Sequence, residues 1–422
     1  MTVAPHFQFK NQTLHVEQVP LATLAEQFGT PLYVYSRQAL RDASESYRLA
    51  GKGRKLLICY GMKANSNLAV LQEFAKLGTG FDIVSGGELA RVQAAGGDPG
   101  KVVFSGVGKQ SWEIETALEA GVKCFNVESE GELERIAQIA SRLGKQAPIS
   151  LRVNPDVDAH THPYISTGLK DNKFGVPIED APAIYARAQE LDSLLITGVD
   201  CHIGSQITEI SPYLDALDKL IKLIQQLQQQ GIQLQHLDLG GGLGIRYTDE
   251  TPATPSDLLN HVFAALDAND LGHLELVLEP GRSMVGNAGV LLTRVEYLKH
   301  GESKNFAIVD AAMNDLIRPT LYSAWHDVEA VQQQSDQEVR TYDIVGPICE
   351  SGDWLARDRQ LALAPDDLLA IMSAGAYAFT MSSQYNSRPR AAEVMVDGTD
   401  VHVVRPREEI HSLFADERLL PE

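Results

Sequence analysis

The stretch of sequence that decides the fold is LQHLDLGGGLG at residues 234–244, followed by HLELVLEPGRS at residues 273–283. Each begins with a short apolar run typical of a buried strand and ends in glycines or in Pro-Gly, and an amphipathic, helix-like segment separates the two. Two consecutive strands joined by a helix pair in parallel, because a parallel connection needs a long crossover. The stretch therefore predicts a strand-helix-strand unit with polar residues where the strands end.

The same alternation extends back to about residue 55. Six further apolar runs precede the two above: LLICYG at 56–61, GFDIVS at 80–85, KVVFSG at 101–106, KCFNVE at 123–128, PISLRVN at 148–154 and LLITGVDCHIG at 194–204. Amphipathic segments lie between them, and several end at a glycine, as helices commonly do. Eight such units match a (β/α)8 TIM-like barrel, which typically takes about 250 residues. An open doubly wound sheet is the alternative, but the count of eight favours the barrel.

The pattern changes after about residue 284, where short apolar runs follow one another with turn signals and little helical periodicity. This predicts a second, antiparallel β domain. The N-terminal HFQFKNQTLHVEQ has the pattern of a hairpin with an Asn-Gln turn, and we expect it to pair with that domain. The predicted organisation is a barrel at residues 36–283 and a β domain formed by residues 1–35 together with 284–422. The long polar segment 156–175 is a candidate lid.

Composition excludes several classes of protein. Apolar residues make up 44% of the chain, enough for a large core, and the formal net charge of −20 disfavours nucleic acid and anionic membrane as partners. The N-terminus lacks the basic and apolar regions of a secretory signal. The four cysteines fit neither a disulfide framework nor a zinc motif, so we expect free thiols in a cytoplasmic protein and no metal site.

Polar residues at predicted strand ends are the candidates for chemistry, because TIM-barrel active sites lie there. Lys63 follows the first strand among small residues, where partial desolvation favours a neutral amine able to form a Schiff base. A surface lysine is the commoner alternative. Gly240, Gly241 and Gly242 can expose backbone N–H groups to a phosphate, although a tight turn also needs one or two glycines.

Four more side chains lie at strand ends or close to them. Glu279 can face a pyridine nitrogen and Arg282 can bind a carboxylate, or the two can form an ion pair around a turn. His202 can stack on a flat cofactor or be an ordinary core histidine. Ser205 can donate to a phosphate or stabilise its own turn.

The β domain carries its own candidates. In GPICESGDWLA, residues 346–356, Cys349 stands beside Glu350, and a protonated thiol there can act as a proton donor. A structural cysteine is the simpler alternative. Tyr377 in SAGAYAFT, and Arg318 with Tyr322 in NDLIRPTLY, are polar residues in small or apolar surroundings and are possible ligands.

Taken in order, these motifs resemble one known family. YGMKAN, DIVSGGEL, RVNP, HIGSQ, DLGGGLGI, EPGRS, NDLIRPTLY, GPICESGD and AGAY are similar to the motifs of the fold-type III pyridoxal-phosphate-dependent decarboxylases, which act on ornithine, diaminopimelate and arginine. The likeness runs nearly from end to end, and the ordered set is far more specific than any single motif.

The resemblance implies roles for the candidate residues. Lys63 would hold the cofactor, pyridoxal 5′-phosphate, by its aldehyde; His202 would stack on the ring and Glu279 would pair with the ring nitrogen. Cys349 would be the catalytic proton donor, and Glu350 would bind the distal ammonium of the substrate. The remaining ligands divide into a phosphate set of Ser205, Gly240, Gly241, Gly242, Gly281, Arg282 and Tyr377, and a substrate set of Arg282, Arg318, Tyr322 and Tyr377.

The implied reaction is decarboxylation of meso-2,6-diaminopimelate to L-lysine, the last step of lysine biosynthesis. Family members are homodimers with shared active sites, so Cys349 and Glu350 would act on the partner's cofactor. The alternatives are a related decarboxylase of ornithine, arginine or carboxynorspermidine, and a non-catalytic pyridoxal-phosphate-binding relative. Arg282 and Arg318 fit ornithine poorly, because it has no distal carboxylate.

Overall fold

The computed structural model describes residues 5–158, 172–333 and 337–421 of the chain. Its N-terminal elements are strands β1 (Phe7–Lys10), β2 (Thr13–Val16) and β3 (Val19–Pro20), helix α1 (Leu21–Phe28), strand β4 (Leu32–Ser36) and helix α2 (Arg37–Ala50). The predicted Asn-Gln hairpin is confirmed: Asn11 and Gln12 join β1 and β2 with φ values of 49° and 67°. Two positive φ angles are what a two-residue hairpin loop of type I′ requires.

Eight parallel strands close into a barrel, as the sequence predicted. They and a short ninth strand are β5 (Leu56–Gly61), β6 (Gly80–Ile83), β7 (Val102–Phe104), β8 (Cys124–Val127), β9 (Ala147–Asn154), β10 (Val176–Pro177), β11 (Leu194–Asp200), β12 (His236–Asp238) and β13 (Glu275–Leu278). The order around the barrel is β9-β11-β12-β13-β5-β6-β7-β8, and β8 pairs with β9 to close it. The short β10 adds to the end of β9 in parallel.

Helices connect these strands and begin and end where the sequence supplies caps. They are α3 (Leu68–Lys76), α4 (Gly86–Ala94), α5 (Ser111–Ala120), α6 (Glu130–Leu143), α7 (Ala181–Gln189), α8 (Ser211–Gln229) and α9 (Pro255–Ala268). Ser85 and Ser129 accept backbone N–H groups at the starts of α4 and α6. Gly121 and Gly144 end α5 and α6 in the left-handed conformation that glycine adopts most easily.

The described part of the chain folds into two compact units. One comprises Arg41–Ile245 and Thr251–Met284 and contains the barrel; the other comprises Met1–Leu40, Arg246–Glu250 and Val285–Glu422. The predicted boundaries at residues 36 and 283 lie close to these divisions. The function assigned to each predicted domain stays a prediction.

The second unit is all-β at its core, and the fold class predicted from the sequence is confirmed. Helix α10 (Arg282–Val285) belongs to the barrel unit up to Met284. The later elements of the sheet unit are β14 (Gly289–His300), β15 (Asn305–Val309), α11 (Arg318–Tyr322), β16 (Val328–Ala330), β17 (Val339–Val345), β18 (Trp354–Ala362), β19 (Leu368–Ile371), β20 (Ala392–Asp397) and β21 (Asp400–Arg405). The main sheet has the order β18-β17-β15-β14-β4-β20-β21. Most pairs are antiparallel, as predicted, but β15–β17 and β4–β20 are parallel, so the sheet is mixed.

The core of this sheet unit is apolar. Phe7, Leu14, Val34, Val290 and Val394 are fully buried in one cluster. The N-terminal hairpin belongs to this unit, since the Leu14 amide donates to Val331 at 2.8 Å. The hairpin therefore pairs with the β domain and not with the barrel, as expected.

The four cysteines are free: Cys59, Cys124 and Cys201 are buried, and Cys349 is exposed. Among the described residues, none of the helices combines the length and the apolar character that crossing a bilayer requires. The centre of the candidate lid, residues 159–171, lies outside the described residues.

Candidate active site

Lys63 lies where β5 ends. It occupies a single 3-10 turn, Met62–Ala64, that follows the strand directly. Its side chain is 39% exposed, and its Nζ pairs with Oδ2 of Asp82, a fully buried residue of β6. The other Asp82 oxygen, Oδ1, is buried and has no hydrogen-bond partner among the described residues. The site thus offers an accessible amine beside a fixed carboxylate, and one oxygen of that carboxylate can still accept a hydrogen bond.

Three more acidic side chains lie at neighbouring strand ends. Asp200, Asp238 and Glu279 are all buried, and one carboxylate oxygen from each lies within 4.8 Å of those of the others. Asp238 Oδ1 accepts the Gly240 amide at 2.8 Å, while Oδ2 of Asp238 and Oδ1 of Asp200 are buried without a hydrogen-bond partner among the described residues. Burial is the main cause of the raised pKa values: that of Asp238 rises to about 7, and those of Asp200 and Glu279 lie well above their ordinary values.

Glu279 is held by donors as well as by its acidic neighbours. Asn126 Nδ2 donates to its Oε1 at 3.2 Å and Ser105 Oγ donates to the same atom at 3.4 Å. Asn126 also donates to Ser105 at 3.1 Å, which fixes both donors. A carboxyl group oriented in this way and kept near neutrality can bind a protonated ring nitrogen by giving up its own proton.

His202 follows β11 as a neutral imidazole. Burial lowers its pKa well below the ordinary value, and the positive charges of Arg152 and Lys63 lower it further. Its Nδ1 accepts the Gly241 amide at 3.1 Å, so the ring proton lies on Nε2. An uncharged, oriented ring at a strand end presents a flat face to whatever binds above Lys63.

The glycine triplet after β12 leaves no room for side chains. A Cβ on Gly240 would lie 2.6 Å from the Cys201 carbonyl oxygen and 2.8 Å from His202 Nδ1, and its φ of +65° favours glycine in any case. A Cβ on Gly242 would lie 2.9 Å from the Tyr213 hydroxyl oxygen. These positions therefore require glycine, because the backbone passes close to its neighbours.

Two amides of the triplet are already used by the protein. Gly240 donates to Asp238 Oδ1 at 2.8 Å, and Gly241 donates to His202. No described residue accepts the amides of Gly242 and Gly281. The triplet and the turn between β13 and α10 together form a possible anion cradle. Its unused donors are the backbone amide of Gly242 and the backbone amides of that turn.

Ser205 and Arg282 lie together beside this cradle. Arg282 begins α10, is buried, and its Nη2 donates to Ser205 Oγ at 3.0 Å. A buried guanidinium and a hydroxyl next to bare amides form a setting for an anionic group. The structure thus brings together the predicted residues Lys63, His202, Ser205, Gly240, Gly241, Gly242, Glu279, Gly281 and Arg282 at one end of the barrel.

The other predicted residues belong to the sheet unit. Arg318 begins α11 and is buried; its Nη1 donates to His326 Nε2 at 2.7 Å, and its guanidinium lies 4.9 Å from the centre of the Tyr247 ring. His326 in turn donates from Nδ1 to the Met372 carbonyl at 2.8 Å. These contacts hold the Arg318 guanidinium in one orientation. Tyr322 lies at the other end of α11 and is partly exposed.

Cys349 and Glu350 are exposed residues of one turn after β17. Asp353 holds this turn, since its Oδ2 accepts the Ile348 amide at 2.7 Å. Glu350 Oε1 accepts a hydrogen bond from the Tyr385 hydroxyl. Tyr377 lies elsewhere in the unit, in the loop after β19, with a φ of +54° that is unusual for a bulky residue.

Several residues that shape the site were not predicted. Asp82, Asp200 and Asp238 were overlooked, although a charged residue inside the apolar runs GFDIVS, LLITGVD and LQHLDLG already indicated inward-facing carboxylates. Asn126, in KCFNVE, gave the same kind of signal. Tyr385 had no comparable signal, because its contact with Glu350 depends on how two separate loops fold.

The comparisons with known proteins agree with this geometry. Residues 37–286 match the family described as "Pyridoxal-dependent decarboxylase, pyridoxal binding domain". The match covers more than half of the chain, so the chain belongs to the family of pyridoxal-dependent decarboxylases. The resemblance inferred from the motifs is confirmed.

Individual relatives are more specific. The chain is 61% identical over 416 residues to the diaminopimelate decarboxylase of Pseudomonas aeruginosa, covering 99% of both chains. It is 43% identical to the Helicobacter pylori diaminopimelate decarboxylase solved with L-lysine, with a TM-score of 0.90 and coverage of 94% and 98%. The M. jannaschii enzyme, also in complex with L-lysine, is 37% identical, with a TM-score of 0.95 and coverage of 100% and 99%.

Proposed function

We propose that the protein is a carboxy-lyase that converts meso-2,6-diaminopimelate to L-lysine and CO2 with pyridoxal 5′-phosphate, the last step of lysine biosynthesis. The observation that carries the proposal is the near full-length identity of 61% to a diaminopimelate decarboxylase. The strand-end site supplies the chemistry that this reaction needs.

The residues present fit the cofactor. The glycine triplet packs against its neighbours without room for a Cβ, the amide of Gly242 has no acceptor among the described residues, and Ser205 and Arg282 add polar groups nearby. The exposed amine of Lys63 is available for an aldehyde, and Glu279 is a buried acid for the ring nitrogen. When bound, pyridoxal phosphate supplies the electron sink for the bond that releases CO2.

The side chains of the protein would hold the cofactor and control the charge on its ring. Lys63 would hold the cofactor through its amine, and Asp82, which pairs with that amine, would keep the lysine side chain in place. Burial and the nearby Asp238 raise the pKa of Glu279, so this carboxyl would hold a proton that it can share with the ring nitrogen. His202, being neutral, adds no positive charge against the ring.

The far end of the substrate carries an ammonium and a carboxylate. Arg318, held by His326 and Tyr247, presents a planar guanidinium suited to bidentate binding of a carboxylate, with Arg282, Tyr322 and Tyr377 as further ligands. Glu350 binds the ammonium. Such a site would reject substrates that lack either charge, because one of its own charged groups would then be left unpaired.

Cys349 protonates the carbon that has lost CO2. It is exposed in the single chain, next to Glu350, and both would serve the cofactor of a partner subunit. The active assembly is therefore a homodimer with shared sites, working in the cytoplasm.

Ornithine, arginine and carboxynorspermidine decarboxylases, and a pyridoxal-phosphate binder without activity, are the competing assignments. The test is CO2 release from meso-diaminopimelate, ornithine and arginine, measured side by side with the same cofactor-loaded protein. We expect turnover of meso-diaminopimelate alone; preference for ornithine or arginine would refute the assignment, and no release from any substrate would favour the binder.

A further inference from the structure

Tyr385 forms a cluster with Glu350 and Cys349 on the sheet unit. Its hydroxyl donates to Glu350 Oε1, although the two residues are 35 positions apart in the chain. The pKa of Tyr385 is raised by the hydrogen bond and the negative charge of Glu350, and also by Cys349 nearby. All three residues are exposed, so the contact is not a consequence of core packing.

Both sides of the contact are anchored by backbone hydrogen bonds. On the Glu350 side, Asp353 accepts the amides of Ile348 and Met313, each at 2.7 Å, and so fixes the turn that carries Glu350. An exposed glutamate has several rotamers, and a fixed backbone alone does not select one of them.

On the other side, the backbone that carries Tyr385 is fixed as well. Tyr385 begins a 3-10 turn, Tyr385–Ser387, in which Asn386 and Ser387 have φ values of 58° and 55°. Just before it, the Ser383 amide donates to the Asn314 carbonyl at 2.9 Å, and Asn314 Nδ2 donates back to the Ser383 carbonyl at 3.3 Å. The Tyr385 hydroxyl therefore reaches Glu350 from a fixed backbone position.

We propose that Tyr385 is a positioning residue that orients the Glu350 carboxylate toward the distal ammonium of the substrate. The inference rests on the proposed function, since Glu350 has that task only if the substrate carries a distal ammonium. Tyr385 donates to one carboxylate oxygen and leaves the other for the ligand, while the carboxylate as a whole keeps its negative charge. A neutral donor is suited to this, because a lysine or arginine there would compete with the ammonium.

A comparison of two ligands measures how much the distal ammonium contributes to binding. L-Lysine and 6-aminohexanoate both carry a terminal amine for the cofactor and a far carboxylate, and they differ only in the far ammonium. Their dissociation constants can be measured by the absorbance change of the cofactor-loaded protein, without any catalysis. For Tyr385→Phe we expect roughly tenfold weaker lysine binding, typical of losing a hydrogen bond to a charged group, and unchanged binding of 6-aminohexanoate.

Two further variants complete the test. Tyr297→Phe removes the hydroxyl of a tyrosine on β14 that is 68% exposed and should change neither constant. In a Glu350→Ala background, Tyr385→Phe should have no further effect, because the group that it orients is gone.

The outcomes separate the two proposals. A wild-type protein that binds both ligands equally would contradict the proposed function and this inference together. A wild-type protein that prefers lysine, with a preference that survives Tyr385→Phe, would overturn the role of Tyr385 alone. Equal loss of affinity for both ligands would do the same, since it would mark a structural effect.

Discussion

Replacing Gly241 with alanine should damage the cofactor cradle without touching any side chain of the site. The new Cβ would overlap the carbonyl oxygen of Glu279 and lie 3.0 Å from its carbonyl carbon. That neighbour is backbone where β13 ends, so it cannot rotate away. Overpacking of this kind costs about 1–3 kcal/mol. If the displacement falls on the cradle, the dissociation constant of pyridoxal phosphate rises by a factor of about 5 to 150.

The assay is a cofactor titration followed by absorbance, with Gly131→Ala as the matched control. Gly131 lies in α6, where an added Cβ meets nothing within 4 Å. Alanine is favoured over glycine in a helix by up to about 1 kcal/mol, so this variant should be slightly more stable and bind the cofactor normally. A Gly241→Ala variant with wild-type affinity for the cofactor would refute the reasoning.

Three further predictions concern the proton donor, a buried cation and a buried acid. Cys349→Ala should lose most turnover while still binding the cofactor, and wild-type turnover would remove its proposed role. Lys109 is fully buried and pairs with Glu132, so Lys109→Ala should lower the free energy of unfolding by about 3–5 kcal/mol. Lys222 is exposed, so Lys222→Ala should lower it by less than about 0.5 kcal/mol. Equal effects of the two variants in urea denaturation would contradict this prediction. Burial raises the pKa of Asp315 to about 7, so the native protein holds a proton that the unfolded chain releases near pH 4. Between pH 4 and 7 the wild type should therefore lose up to roughly 4 kcal/mol of stability relative to Asp315→Asn, and a constant difference across that range would count against it.

The barrel could be predicted from the sequence because its signals are local. Each strand is a short apolar run, each connection is an amphipathic segment with a cap or a glycine, and parallel pairing follows from the connections alone. Because TIM-barrel active sites lie at the strand ends, the sequence alone also predicts Lys63, His202 and Glu279 on one edge of the barrel.

The mixed sheet and the acidic neighbours could not be predicted in the same way. Strand β4 pairs in parallel with β20, more than 350 residues later, and no local pattern specifies such a partner. The grouping of Asp200, Asp238 and Glu279 likewise depends on the register of three parallel strands, β11, β12 and β13. Long-range register is set by the whole packed structure and is only weakly encoded in either segment.

The most direct test of the central claim is to identify the lysine that carries the cofactor. The protein is loaded with pyridoxal phosphate and reduced with borohydride, which makes the attachment permanent. It is then digested, and the masses of its peptides are measured by mass spectrometry. The account predicts a cofactor-modified peptide that contains Lys63, and no modification in a Lys63→Ala variant. Attachment at any other lysine, or a loaded protein with an unmodified Lys63, would contradict it.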